Sequence, residues 1–504
     1  WFESTRPSHP SEPARTGVDP FDLVIRGGTV VTATDLFAAD IGVRDGRIAA
    51  IGEDLPAGRE ELDARGLLVL PGGVDSHCHI EQLSAAGLIN ADTFETATAS
   101  AALGGTTTVI PFVAQHVGTS LAAAAEDYHR RAERGAIVDY AFHLILADPR
   151  PEILKDELPP LVRAGHASLK VFLTYDRLKI DDEQLLDVLD AARTHGLMVC
   201  VHAENHGMIR WMGRRLVERG FTAPRYHVPS HPRIGEVEGI HRAIACAALL
   251  DQPIMIFHVS TAEGAAVIHR ARGEGKKVWG ETCTQYLTLT SAELDRPGIE
   301  GAKWICSPPL REPADQEALW WALEVGTLQC VSSDHAPYRM DETGKLAKGP
   351  NPSFKEIANG IPGLELRLPV LFDVMVSRGR LGLCKFVELT ATAPARIYGL
   401  HPKKGTIAPG SDADLVLWDA ERKVTIEDAP RTDRAGYTPY AGRTVKGWPR
   451  HVLLRGRPIV RDGKLEGTPG QGRFLPRQGG RAALPTGRPA PEFDPAHNFG
   501  ARLW

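Results

Sequence analysis

The sequence predicts an α/β fold, a (β/α)8 TIM-like barrel carrying a small β-sandwich domain built from N- and C-terminal segments. Three observations carry this expectation. Strand-like and helix-like stretches alternate eight times between residues 71 and 395. Short alternating segments broken by Gly and Asp flank that region on both sides. Polar residues able to do chemistry recur at the ends of the apolar runs, and a barrel gathers the C-terminal ends of its strands at one mouth.

Taken in order, residues 1–20 are rich in Pro, Ser and charge, lack the apolar core of a signal peptide, and read as a disordered leader. LVIRGGTVV (23–31) and ADIGVRDGRIAAIG (39–52) then carry hairpin signals. Similar text returns as ADLVLWD (413–419) and VLLRGRPIVRDGK (452–464). The echo between residues 23–31 and 452–460 joins segments 21–70 and 396–465 into one sandwich, with the barrel at 71–395 between them. Residues 466–504, rich in Gly, Pro and Arg, read as a tail that is disordered or laid on a neighbouring subunit as an oligomer arm.

The eight barrel strands are VDSHCH (74–79), TTTVIPF (106–112), VDYAFHL (138–144), SLKVFL (168–173), LMVCVHAE (197–204), IMIFHVS (254–260), KVWGETC (277–283) and LQCVSSD (328–334). Helical text falls between them, such as TFETATASAALGG before the second and DDEQLLDVLDAARTHG before the fifth. A doubly wound open sheet is the alternative, but no Gly-rich phosphate turn follows the first strand.

Composition excludes several partners. With 58 basic against 63 acidic residues, a net charge of −5, nothing recommends a nucleic acid or an anionic membrane. No apolar run reaches the roughly 18 residues of a spanning helix. Seven scattered cysteines without a CxxC pair suggest reduced thiols and a cytoplasmic location.

His77 and His79 close the first strand, Lys170 sits in the fourth, His202 ends the fifth, His258 the sixth and Asp334 the eighth. Residues i and i+2 of a strand face the same way, so both His77 and His79 point inward while Cys78 packs outward. Each histidine alone also suits a satisfied core position; their coincidence at one strand end suggests a metal site. Lys170 is anomalous, because an ammonium beside divalent cations is repelled and desolvated. Addition of CO2 to its neutral amine would give an anionic carbamate, N6-carboxylysine, able to bridge two metals. The alternative is a Lys170 that points to solvent.

Together PGGVDSHCH (71–79), SLKVF (168–172), VHAEN (201–205), FHVS (257–260) and SSDHAPY (332–338) resemble the binuclear amidohydrolase superfamily, in its dihydropyrimidinase/hydantoinase branch, over residues 22–475. The resemblance implies a hydrolase that opens the cyclic amide bond of dihydropyrimidines or hydantoins to N-carbamoyl amino acids. It places His77, His79, carboxylated Lys170 and Asp334 on one divalent metal ion, and Lys170, His202 and His258 on the other. Zn2+ is the usual occupant, with hydroxide as a second bridge; manganese or cobalt also suits such ligands. Asp334 is then the catalytic base and acid, and Tyr175 in KVFLTY donates to the oxyanion. Ser307 in CSPPLR and Asn359 in NGIPGLE hold the ring amide or imide edge. The plain alternatives are a rim tyrosine, a serine in a Pro-rich turn and an asparagine in a Gly-Pro turn. Members are commonly homotetramers.

Dihydroorotase-like relatives carry an Arg two places after the second metal histidine. Here Glu81 would repel an acid, which favours a small neutral cyclic amide or imide as substrate. The following segment, Gln82–Leu83–Ser84–Ala85–Ala86, departs from the branch's Met-Pro-Phe-like stretch over the pocket, and leaves the ring substituent open. Allantoinase and cyclic imide hydrolase remain alternative activities. A non-catalytic scaffold relative is a third reading, against which all six ligand positions are intact. Glu204, Glu281 and His335 adjoin the site in sequence.

Overall fold

The computed structural model describes residues 21–84, 87–428 and 432–504. The leader at 1–20, together with Ala85 and Ala86 of the segment expected over the pocket, lies outside the described residues.

Two nine-stranded sheets divide the chain. The first begins with β1 (Phe21–Val31), β2 (Leu36–Arg44), β3 (Arg47–Gly52), β4 (Gly58–Asp63) and β5 (Leu68–Pro71). The second takes β6 (Gly73–Cys78), β7 (Thr106–Ala114), β8 (Asp139–Tyr140), β9 (His143–Ile145), β10 (Ser168–Phe172), β11 (Met198–His202), β12 (Ile254–Ile256), β13 (Val278–Cys283) and β14 (Cys330–Ser332). The chain then returns to the first sheet with β15 (Leu415–Thr425), β16 (Thr444–Leu454), β17 (Arg457–Arg461) and β18 (Lys464–Leu465).

In the second sheet neighbouring strands follow chain order from β6 to β14 and all pair in parallel, with β8 beside β7. Parallel strands are covered on both faces, and β6, β7, β10 and β11 are buried along their whole length. That is why they read as continuous apolar runs. The ring closes where the Ser333 N–H donates to Asp75 Oδ1 (3.2 Å) and the His79 N–H to the His335 carbonyl (2.7 Å). The third expected strand is split into β8 and β9.

Helices follow the strands, among them α1 (Phe94–Leu103), α2 (Leu121–Gly135), α3 (Leu158–Arg163), α4 (Asp182–His195), α5 (His206–Glu218), α6 (His227–Ser230) and α7 (Arg233–Leu249). Local sequence sets their ends. Asp181 and Gln184 form a reciprocal capping box at the start of α4, and Gly196 ends it in the left-handed region at φ 67°.

In the first sheet the two chain ends meet at β5 and β15, with Val69 opposite Leu417. Leu23, Ile25, Val30, Ile41, Val69, Leu415, Leu417 and Leu453 share one apolar cluster. The two echoed segments differ locally. VLLRGRPIV is a hairpin of β16 and β17, whereas LVIRGGTVV is one strand with a register shift between Ile25 and Gly28. Sandwich and barrel are joined by a buried ion cluster: Lys404 Nζ lies 2.6 Å from Asp139 of β8 and 2.6 Å from Asp414, and Arg455 also pairs with Asp139. The tail lies along its own barrel in the single chain. Arg477 is buried and donates to the Tyr398 carbonyl (3.2 Å) and to Ser168 Oγ (3.0 Å), while Trp504 reaches Asp190 of α4.

Candidate active site

A pocket of about 600 Å³ opens at the C-terminal end of the barrel strands, a size usual for small-molecule sites. Its lining includes His77, His79, Lys170, Tyr175, His202, His258, Ser307, Asp334 and Asn359, so the nine residues expected to bind metal or substrate meet there. His77 Nε2 and His79 Nε2 lie 3.2 and 3.3 Å from Asp334 Oδ1, close enough for the three to hold one ion. The His202 and His258 rings lie 4.3 Å apart, and His258 is 5.4 Å from His77. Tyr175, His258 and Asp334 all adopt left-handed backbone conformations, at φ 73°, 41° and 47°. Such strained positions concentrate at functional sites.

Lys170 does not point to solvent. Its side chain is fully buried and Nζ has no hydrogen-bond partner among the described residues. It sits 4.2 Å from the Phe257 ring centroid and 4.7 Å from that of Phe172. Burial pulls its pKa down to about 8, against the pull of nearby acids. An orphaned, easily neutralised amine among imidazoles fits a carbamate that bridges cations, and the four imidazoles with Asp334 are a donor set for divalent metal.

The imidazoles are held from behind. His77 Nδ1 meets Glu281 Oε1 at 2.7 Å and His79 Nδ1 meets Gln82 Oε1 at 2.7 Å, which turns both Nε2 atoms to the pocket. His202 is held the other way round, with Nε2 2.7 Å from Glu204 Oε2. Glu204 in turn meets His231 Nδ1 at 2.8 Å. Burial drives His77 and His258 well below the ordinary imidazole pKa, so both are neutral with an electron pair to give. Asp334 stays below the usual carboxylate range because His77, His79 and Lys170 outweigh its burial.

The wall opposite carries polar contacts for a ring. Asn359 Nδ2 donates to Ser307 Oγ at 2.9 Å, and both residues line the pocket with Tyr175. Burial raises the Tyr175 pKa above the ordinary phenol range, so it keeps its proton. Ser307 Oγ lies 3.3 Å from His227 Nε2, and the His227 and His231 rings are 4.6 Å apart. The sequence reading missed His227 and His231. The available signal was the H-x-x-x-H spacing inside the long insertion between the fifth and sixth strands.

One expectation changes. Glu81 does not line the pocket; Oε1 accepts the Phe94 N–H at 2.8 Å and caps the first turn of α1, where a carboxylate suits the helix dipole. The ground for excluding an acidic substrate therefore falls. His335 turns away from the candidate ligands, with Nε2 2.9 Å from Asp92 and Nδ1 accepting the Gly363 N–H at 3.1 Å.

The model of the amidohydrolase family matches residues 68–459. The chain is similar to the D-hydantoinase of Ralstonia pickettii, at 43% identity over 91% of this chain and 99% of the relative. Similarity to the D-hydantoinase of Rhizobium radiobacter is 44% over 91% and 99%. The crystal structure of dihydropyrimidinase from Brevibacillus agri superposes with a TM-score of 0.88 at 40% identity, over 91% of this chain and 99% of that one. With the motifs in order along the whole barrel and such relatives spanning both domains, the chain belongs to the amidohydrolase family, in the branch that holds the D-hydantoinases.

Proposed function

We propose that this protein is a metal-dependent cyclic amidohydrolase that opens the ring amide of hydantoins or dihydropyrimidines to N-carbamoyl amino acids. The observation that carries the reading is the pocket floor: four imidazoles, a carboxylate and a buried amine that has no hydrogen-bond partner among the described residues. His77, His79, Lys170 and Asp334 would hold one cation, and Lys170, His202 and His258 the other, with Lys170 as N6-carboxylysine and Zn2+ as the metal. Bound there, the cations would lower the pKa of a shared water toward neutrality and polarise a ring carbonyl.

The chain's own residues do the rest. Ser307 and Asn359 hold the ring's amide edge and orient the scissile carbonyl toward the floor. Tyr175, which keeps its proton, donates from its hydroxyl to the oxygen where negative charge grows. Asp334, ionised in the ground state, takes a proton from the attacking water at Oδ and returns it to the leaving ring nitrogen. The burial that favours a neutral Lys170 amine also favours its reaction with CO2. All seven cysteines are free, which suits the cytoplasm. A homotetramer is part of the proposal on the strength of the family resemblance, and light scattering checks it.

The test is a panel of hydantoin, dihydrouracil, allantoin, succinimide and dihydroorotate, assayed before and after chelation and metal add-back. Chelator-sensitive opening of hydantoin or dihydrouracil is expected. Turnover confined to allantoin or to succinimide assigns one of the alternative activities, and no turnover with any of them returns the scaffold reading.

A further inference from the structure

The floor and the gripping wall account for a ring, but not for the charges around the pocket opening. Arg177 lies in the turn after β10, Arg210 on α5, and Lys348 and Lys355 on the loop that also carries Asn359; all four line the pocket and are exposed. Only Asp176 and Glu356 oppose them there. Asp176 is engaged, with Arg210 at 3.4 Å and His206 at 3.3 Å. Glu356 accepts from the Ser353 N–H and hydroxyl, both at 2.9 Å, within its own loop. Among the described residues Arg177 and Lys355 have no ion-pair partner, and Lys348 has only the charge of Glu356 near it. Four cations against two occupied carboxylates form a local positive rim on a chain whose net charge is −5.

A ring held with its amide over the pocket floor and its edge against Ser307 and Asn359 would carry its substituent toward the opening, where this rim lies. We propose that the ring substituent of the substrate carries an anionic group, a carboxylate on a short arm, received by Arg177, Lys348 and Lys355. The inference deepens the cyclic amidohydrolase reading and rests on it. The ring stays uncharged while its arm is not. Glu81, which would have repelled such an arm, is turned onto α1 instead. Exposed charges each contribute little, but several converging on a concave mouth focus the field on an incoming anion, and salt screens the effect.

The experiment compares two hydantoins with the same ring, one bearing a 5-carboxyethyl arm and the other the isosteric uncharged carbamoylethyl arm. The holoenzyme is expected to favour the acid in kcat/KM by about tenfold, near 1.4 kcal/mol. Raising KCl from about 0.05 M to about 0.5 M should shrink that ratio. In the triple variant Arg177→Gln, Lys348→Gln, Lys355→Gln the ratio should approach one. A ratio near one in the parent enzyme, or a preference that survives the triple change, overturns the anionic arm while ring opening of both compounds leaves the amidohydrolase reading standing. If neither ring opens, while metal content is full, the amidohydrolase reading itself fails and the anionic arm with it.

Discussion

The two histidine pairs at the pocket floor are supported by carboxylates in opposite states. Behind His77, Glu281 is pushed up to about 8: it is buried, its neighbour Asp75 is a like charge, and the hydroxyls of Ser332 and Ser76 do not offset this. Behind His202, Glu204 lies well below the usual carboxylate range, because His231 and His202 overcome an equally deep burial. One half of the floor thus has an ionised carboxylate behind its imidazole and the other a carboxyl that keeps its proton near neutrality. The difference comes from a single insertion: His231, between α6 and α7, gives Glu204 a partner that Glu281 lacks.

The largest expected effect is on what joins the halves. If Lys170 is the shared ligand proposed above, Lys170→Ala should lower metal content at both positions and drop ring opening to background, with partial rescue by short carboxylic acids. Full metal occupancy with retained turnover in that variant would end the bridging role. Next comes Tyr175→Phe, which leaves both halves intact and removes only the oxyanion donor. Here kcat should fall on the order of 10²–10³ with metal content unchanged, measured side by side. Unchanged kcat removes Tyr175 from the chemistry.

The halves themselves are separated by Glu204→Gln and Glu281→Gln. Changing a group behind a metal-bound imidazole costs about 10–100-fold in affinity, read by competition with a chelator. Glu204→Gln should fall at the large end, since it strips an ionised partner from two histidines at once. Glu281→Gln should fall at the small end, since an amide resembles the protonated acid it replaces. Equal losses, or the reverse order, would break the contrast.

The elements that the sequence made legible are those fixed by the strand repeat. A buried parallel strand must be apolar along its length, so β6, β7, β10 and β11 stood out, and their polar end residues stood out against them. His77 with His79 could be aimed by alternation alone, whereas Lys170 stood out by its charge and its direction stayed open. What lay in loops could not. Glu81 sits at φ 47° beyond the end of β6, where alternation has stopped, and its carboxylate found the free N–H groups of α1 rather than the pocket. His231 and Gln82 act on ligands from outside the strands, so no periodicity announced them. The echo of LVIRGGTVV in VLLRGRPIV identified shared sheet membership but not its form, because Gly27, at φ 65°, lets the first segment bulge where Arg455 and Gly456 turn the second.

The smallest effect is a slope, and it follows from the two carboxyls in the metal-free protein. In the fold Glu281 holds its proton up to about pH 8, whereas an unfolded glutamate loses it near 4.5. Between those values the folded chain binds the extra proton, so this group's contribution to stability falls as pH rises. Glu204 runs the other way: its folded pKa is depressed, so its contribution is complete above about 4.5 and is lost only as pH falls toward the folded value. The many buried histidines also titrate in this range, so the quantity to measure is the Tm of each variant minus that of the parent, after chelation. For Glu281→Gln that difference should become more favourable to the variant from pH 5.5 to pH 8, because the amide has no proton to be forced off. For Glu204→Gln the lost carboxyl itself adds no slope over the same interval, because its own titration lies at lower pH. A flat line for Glu281→Gln would mean that Glu281 is ionised behind His77, as Glu204 is behind His202, and that the two halves of the floor are electrostatically alike.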